Sequence, residues 1–141
     1  MKAYEATADI GARPEEIWAI LTDASAYPAW DSGVRRVDGR ISPGEKVTVV
    51  SEASPGRAFA VKVTAFDPPR AMTWSGGMPL GLFRGVRTFT LTPSEGALTR
   101  FVMREEYSGP LLGLIWKSMP DLGPSFRKFA AGLKARAERA A

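Results

Sequence analysis

The sequence predicts an α+β fold. A curved antiparallel β-sheet wraps around a long C-terminal helix, and two short helices follow the first strand. Three observations lead there. Leu122, Phe126, Phe129, Leu133 and Ala137 recur at steps of three and four, which places them on one face of a helix. Between residues 34 and 107, six apolar stretches of strand length are separated by clusters such as Ser42-Pro43-Gly44, Ser54-Pro55-Gly56 and Pro93-Ser94-Glu95-Gly96. Six consecutive strands joined by short turns imply an antiparallel meander, and helices covering one face of it complete a layered α+β domain. No internal repeat, low-complexity segment or linker interrupts the chain, so residues 1–141 are expected to form a single domain.

The elements follow in order. Tyr4, Ala6, Ala8 and Ile10 alternate with Glu5, Thr7 and Asp9, the pattern of a first strand. Pro14-Glu15-Glu16 opens a helix, with proline at the first helical position and acids in the first turn. A second, short helix over 24–29 is expected to close at Tyr27-Pro28, since proline disfavours a helical conformation for the residue before it. Strands are expected over 34–40, 46–52, 58–66 and 71–75, then a loop from Gly76 to Gly81, and strands again over 84–92 and 98–107. In the third of these, Phe59, Val61 and Val63 share one face. Residues 111–119 read as a helix, and Pro120 separates it from the last one. Asp121 is placed to cap that final helix and Pro124 falls within its first turn. Lys134, Arg136 and Arg139 suit the negative end of its dipole.

Composition narrows the function. Hydrophobic residues make up 45% and charged residues 24%, an ordinary globular balance. Cysteine is absent, which removes disulfides and thiol chemistry. Histidine is absent too, and with it the commonest general base and metal ligand, so no metal site is expected and no cofactor is implied. The net charge is +4 and the pI about 9.7. The basic residues are scattered or sit on the outer side of the last helix, with no recognition motif, so no nucleic-acid partner is expected. No apolar run reaches membrane-spanning length and the first residues lack a signal-peptide core. The expectation is a cytoplasmic protein without stable membrane insertion, monomeric or weakly homodimeric.

The chain resembles the START-like, SRPBCC superfamily, most closely its polyketide cyclase/dehydrase-like and lipid-transport branch. The residues that carry the resemblance span the whole sequence. They are Ala12-Arg13-Pro14-Glu15-Glu16-Ile17-Trp18 leading to Leu21-Thr22-Asp23, then Tyr27-Pro28-Ala29-Trp30-Asp31, Val37-Asp38-Gly39, Gly44-Glu45 and Met72-Thr73-Trp74. Phe89-Thr90-Leu91-Thr92-Pro93, Thr99-Arg100, Tyr107-Ser108-Gly109-Pro110-Leu111 and Phe126-Arg127-Lys128-Phe129 complete the set. Such a resemblance implies a helix-grip fold with an internal cavity for a hydrophobic small molecule. Members include lipid carriers, hormone receptors, aromatase/cyclases and chaperone activators. Fold alone does not choose among these.

The candidate ligand-binding residues are Trp74, Met78, Leu80, Phe83, Arg87, Phe89, Met103, Glu105, Tyr107, Trp116, Phe126 and Phe129. Trp74 and Trp116 either line a cavity or fill the core. The apolar segment Met78 to Phe83 is either a lid at the cavity mouth, a membrane-touching edge, or a packed loop. Arg87 shares a strand face with Phe89 and Leu91, and Glu105 shares one with Met103 and Tyr107. A turn at 94–96 brings the two nearly opposite each other. Inward charges are rare unless paired. The pair either ties the sheet together or orients a polar ligand group in an apolar pocket. Tyr107 adds a phenol able to donate to a carbonyl. Many relatives place histidine at such inward strand positions and this chain has none, so no residue is assigned a catalytic role. Transport, sequestration or sensing of a lipid, polyketide or aromatic metabolite leads. The alternatives are an aromatase/cyclase-like enzyme working by positioning and a protein-interaction module of the chaperone-activator kind.

Overall fold

The computed structural model describes residues 1–140, without the side chain of Ala140. Ala141, the end of the expected last helix, lies outside the described residues. Seven strands form one antiparallel sheet: β1 (Lys2–Ile10), β2 (Val34–Asp38), β3 (Lys46–Ser51), β4 (Phe59–Asp67), β5 (Ala71–Gly77), β6 (Arg84–Pro93) and β7 (Thr99–Ser108). The order across the sheet is β1-β7-β6-β5-β4-β3-β2. The meander is therefore continuous from β2 to β7, and the first strand joins it beside the last. Three α-helices accompany the sheet: α1 (Pro14–Leu21), α2 (Leu112–Ser118) and α3 (Gly123–Ala140).

α3 lies on the concave face. Phe126, Phe129, Ala130, Leu133 and Ala137 are buried, while Arg127, Lys128 and Arg139 face outward. The Asp121 carboxylate accepts from the Gly123 N–H at 2.9 Å, satisfying one donor at the helix start. A Cβ at Gly132 would overlap the Asp31 carbonyl, so glycine there lets the helix seat against the chain before β2. α1 begins as expected, with the Arg13 N–H donating to the Glu16 carboxylate at 3.1 Å. That backbone hydrogen bond, aided by the Arg13 side chain, holds the Glu16 carboxyl below its usual pKa.

Several expectations are corrected. Residues Ala24–Ala29 form a 3₁₀ segment that carries Pro28 inside it rather than ending before it. Pro28 supplies no N–H to the segment, and buried Tyr27 anchors it instead by donating its hydroxyl to the Leu21 carbonyl at 2.6 Å. β5 runs through Gly77 instead of stopping at Ser75, because Gly76 and Gly77 pair with Gly85 and Arg84. The loop is thus shorter than expected and contains a 3₁₀ turn, Pro79–Gly81. In β4 the register shifts between Val63 and Ala65. Such a bulge resets the alternation: Val63 is fully buried, and Phe66 packs inward against Trp18 at 5.3 Å. Phe59, at the start of the same strand, is exposed.

Candidate ligand-binding site

The cross-strand register builds the site. Val63, Trp74, Arg87, Glu105 and Tyr4 stand side by side across β4, β5, β6, β7 and β1. Alternation turns all five toward the concave face. One row toward the interior, Phe66, Met72, Phe89, Met103 and Ala6 are aligned in the same way and close the core. One row toward the other end come Val61, Gly76, Gly85, Tyr107 and Lys2. The sheet therefore grades from a filled apolar layer, through a charged row, to a row containing two glycines.

Arg87 and Glu105 are directly opposed, and the Arg87 Nε donates to Glu105 Oε1 at 2.6 Å. Their side chains are 24% and 17% exposed, so the pair is sheltered without being sealed. The guanidinium lies 4.8 Å from the centre of the Phe126 ring, a cation–π contact from the helix side. Burial works to lower the Arg87 pKa, but the Glu105 carboxylate outweighs it and the net shift is upward. The guanidinium stays charged. A Cβ at Gly85 would stand 2.7 Å from Glu105 Oε2, so the carboxylate occupies the space that glycine leaves.

Aromatic side chains roof this polar centre. Trp116 of α2 stacks on Tyr4 at 5.4 Å and packs against Tyr107 at 5.7 Å. Phe83, at the end of the β5–β6 loop, stacks on Tyr107 at 6.1 Å. Lys2 Nζ lies 5.7 Å from the Trp116 ring. Tyr107 is only 3% exposed, and its hydroxyl has no hydrogen-bond partner among the described residues. Burial raises the pKa of this phenol and the nearby Glu105 carboxylate adds to the rise, although the two groups do not meet in hydrogen-bond geometry. Trp74, paired with Arg87 across β5 and β6, likewise has a buried and unpartnered Nε1. Trp30 Nε1 is a third such donor, deeper in the core against Tyr27 and Phe129.

The structure divides the candidate residues into three groups. Trp74, Phe83, Arg87, Glu105, Tyr107, Trp116 and Phe126 surround the polar centre. Phe89, Met103 and Phe129 are fully or almost fully buried below it, with Phe129 wedged among Tyr27, Trp30, Phe89 and Phe101. Met78 and Leu80 face solvent. Leu80 is 96% exposed, because it sits in the 3₁₀ turn with φ of +61° and its side chain is carried outward. Two concavities of the described structure lie elsewhere. One, about 490 Å³, runs between β1 and α3 along Ala6, Ala8, Arg127 and Ala131. The other, about 350 Å³, is bordered by Arg35, Arg36, Arg57 and Ala58. Neither includes a candidate residue, since aromatic side chains fill the interior between sheet and helix. Sequence reasoning misses Tyr4 and Gly85 as site residues. Alternation already puts Tyr4 inward, but only the β1–β7 pairing reveals that it stands opposite Glu105.

The sequence profile for polyketide cyclase/dehydrase and lipid transport proteins matches residues 1–138. The chain belongs to this family. No curated protein matches the sequence. Among solved structures, a START superfamily protein from Mycobacterium smegmatis superposes with a TM-score of 0.72 at 17% identity, covering 99% of both chains. The Zhui aromatase/cyclase from Streptomyces sp. R1128 superposes with a TM-score of 0.74 at 13% identity, covering 98% of this chain and 94% of its own. A protein from Thermus thermophilus gives 0.72 at 20% identity, with 99% of each chain covered. At these identities the likeness shows the fold, and that fold is the helix grip. Among the described residues, no helix of this family member is long and apolar enough to cross a membrane.

Proposed function

We propose that this polyketide cyclase/dehydrase and lipid transport family member binds an apolar small molecule at the Arg87–Glu105 end of its concave face. One observation carries the reading. Beneath a roof of aromatic rings, a partly accessible ion pair lies next to Tyr107, a buried hydroxyl without a partner. An unpaired buried donor costs roughly 1–3 kcal/mol, and native proteins rarely keep one without a reason. Apolar walls with a few convergent polar groups are how small-molecule sites are built. Phe83 and Trp116 come from a loop and from a seven-residue helix, so they are the side chains whose displacement would admit the ligand. Phe89, Met103 and Phe129 would form its floor.

Carriage or sensing is the favoured use of such a site. The chain has no histidine or cysteine, and burial keeps the Tyr107 phenol protonated as a donor rather than a base. Native mass spectrometry of the freshly purified protein tests the proposal directly. A retained small molecule, lost when Trp116 and Phe83 are both changed to Ala, is expected. A bare chain that also leaves its tryptophan emission unchanged on titration with apolar probes would overturn it.

A further inference from the structure

The ion pair says something about which polar group the site can accept. Arg87 alone would attract a carboxylate. Here its charge is already matched by Glu105 at 2.6 Å, and Glu105 is held in place over Gly85. A ligand carboxylate brought to this point would meet a second carboxylate in a sheltered environment, where like-charge contact costs several kcal/mol. The remaining capacity is for hydrogen-bond donation. The Tyr107 hydroxyl is buried and unpartnered, and so is the Trp74 indole N–H on the neighbouring row. The guanidinium keeps N–H groups beyond the Nε–H that Glu105 engages. Donors without a free charge suit an uncharged acceptor, above all a carbonyl oxygen. The neighbouring ring cluster, in which Tyr4 packs against both Trp116 and Phe126, suits an apolar and preferably aromatic body.

Resting on the binding reading above, we propose that Glu105 sets the specificity of this site by excluding carboxylates, and that Tyr107, Trp74 and Arg87 together receive the carbonyl of an uncharged apolar ligand. The side chain that completes the ion pair is then also a filter, because a charge placed against the wrong ligand is one of the two ways a site discriminates.

Matched probes test this. Titrations of the wild-type protein, read by tryptophan emission and calorimetry, compare 2-acetylnaphthalene with 2-naphthoate, and 2-tridecanone with dodecanoate. In each pair the ketone should bind at least about ten-fold more tightly. Glu105→Gln, which keeps the shape and removes the charge, should bring the ratio near one by improving carboxylate binding. Tyr107→Phe should weaken the ketones by about five-fold and leave the carboxylates as they were. Equal affinities, or a preference for the carboxylates, in the wild-type protein would overturn this proposal while leaving the binding site intact. A ketone preference unchanged in Glu105→Gln would remove Glu105 as its source. If no probe of either kind binds, the binding reading fails and this inference fails with it. The wild-type comparison needs no variant, so a poorly folding mutant does not affect it.

Discussion

Tyr27 and Tyr107 are both buried on the concave side of the sheet, yet only one has a partner for its hydroxyl. Tyr27 donates to the Leu21 carbonyl and packs against Trp30, Trp74 and Phe129. Tyr107 packs against Tyr4, Phe83 and Trp116 and donates to nothing among the described residues. The first tyrosine belongs to a region closed by backbone and core. The second belongs to a region roofed by a loop and a short helix, beside a charge pair with access to solvent. The same residue type at the same depth serves stability in one place and remains available in the other. Burial by itself therefore does not separate the two regions; the partner of each hydroxyl and the access of its neighbours to solvent do.

The contrast can be broken most forcefully from the closed side. Phe129→Ala should cost about 3–5 kcal/mol in urea unfolding, as expected for a large side chain removed from close-packed core; a loss under about 1 kcal/mol would mean that the floor is open as well. On the other side, Glu105→Ala strands the Arg87 charge. A fully buried pair would lose about 3–5 kcal/mol, but these side chains keep some solvent, so about 2 kcal/mol is expected, with Arg87→Met in the same background recovering part of it. The two tyrosines give the sharpest comparison. Tyr27→Phe leaves the Leu21 carbonyl without its donor and should cost about 1–2 kcal/mol, whereas Tyr107→Phe should be neutral or slightly stabilising in the ligand-free protein. The reverse order in thermal melts would show that the two regions had been assigned the wrong way round.

Alkaline pH offers a milder probe of both. Burial raises both phenols above their ordinary value of 10.0. A group whose folded pKa is raised contributes stability that is present below its unfolded pKa and lost as pH rises above it. Stability should therefore hold up to about pH 10 and fall beyond it, and each Tyr→Phe variant should reduce the slope. The smallest effect is expected at the loop tip. Leu80→Ser should change stability by less than about 0.5 kcal/mol, and amides from Met78 to Leu82 should exchange faster than those of β6, although Met78 and Phe83 are tied by a backbone bond of 2.8 Å. Exchange as slow as in the strands would argue against movement of the roof.

Much of this arrangement is legible in the sequence. Period-two alternation puts Arg87 with Phe89 and Glu105 with Met103, and one short turn makes them neighbours, so the pair at 2.6 Å follows from local pattern alone. The face of α3 is equally plain, because Phe126, Phe129, Leu133 and Ala137 keep helical spacing along its length. What escapes is non-local or exceptional. Tyr4 opposite Glu105 depends on a pairing between strands from opposite ends of the chain. The bulge in β4 breaks the period that would otherwise place Phe66. Leu80 looks like lining because it is apolar, but its outward direction is set by a left-handed backbone turn that composition does not reveal. The filled interior also escapes, since pattern tells which residues face inward and not how much room they leave.

The pairing of β1 with β7 has a consequence for how the protein is made. Every other ladder joins strands adjacent in the chain, so each can form soon after its second strand emerges during synthesis. β1 must wait for β7, and at ribosomal speeds of about 5–20 residues per second that is a delay on the order of 5–20 seconds. Through that interval Tyr4, Ala6 and Ile10 have no layer to cover them. Glu5 and Asp9, which later meet Arg104 and Arg100, alternate with them and give the waiting strand a charged edge that discourages pairing with a stranger. The proposed ligand site, whose row ends in Tyr4, is thus among the last parts of the sheet to be assembled, and a nascent chain cannot complete that row until the whole meander is in place.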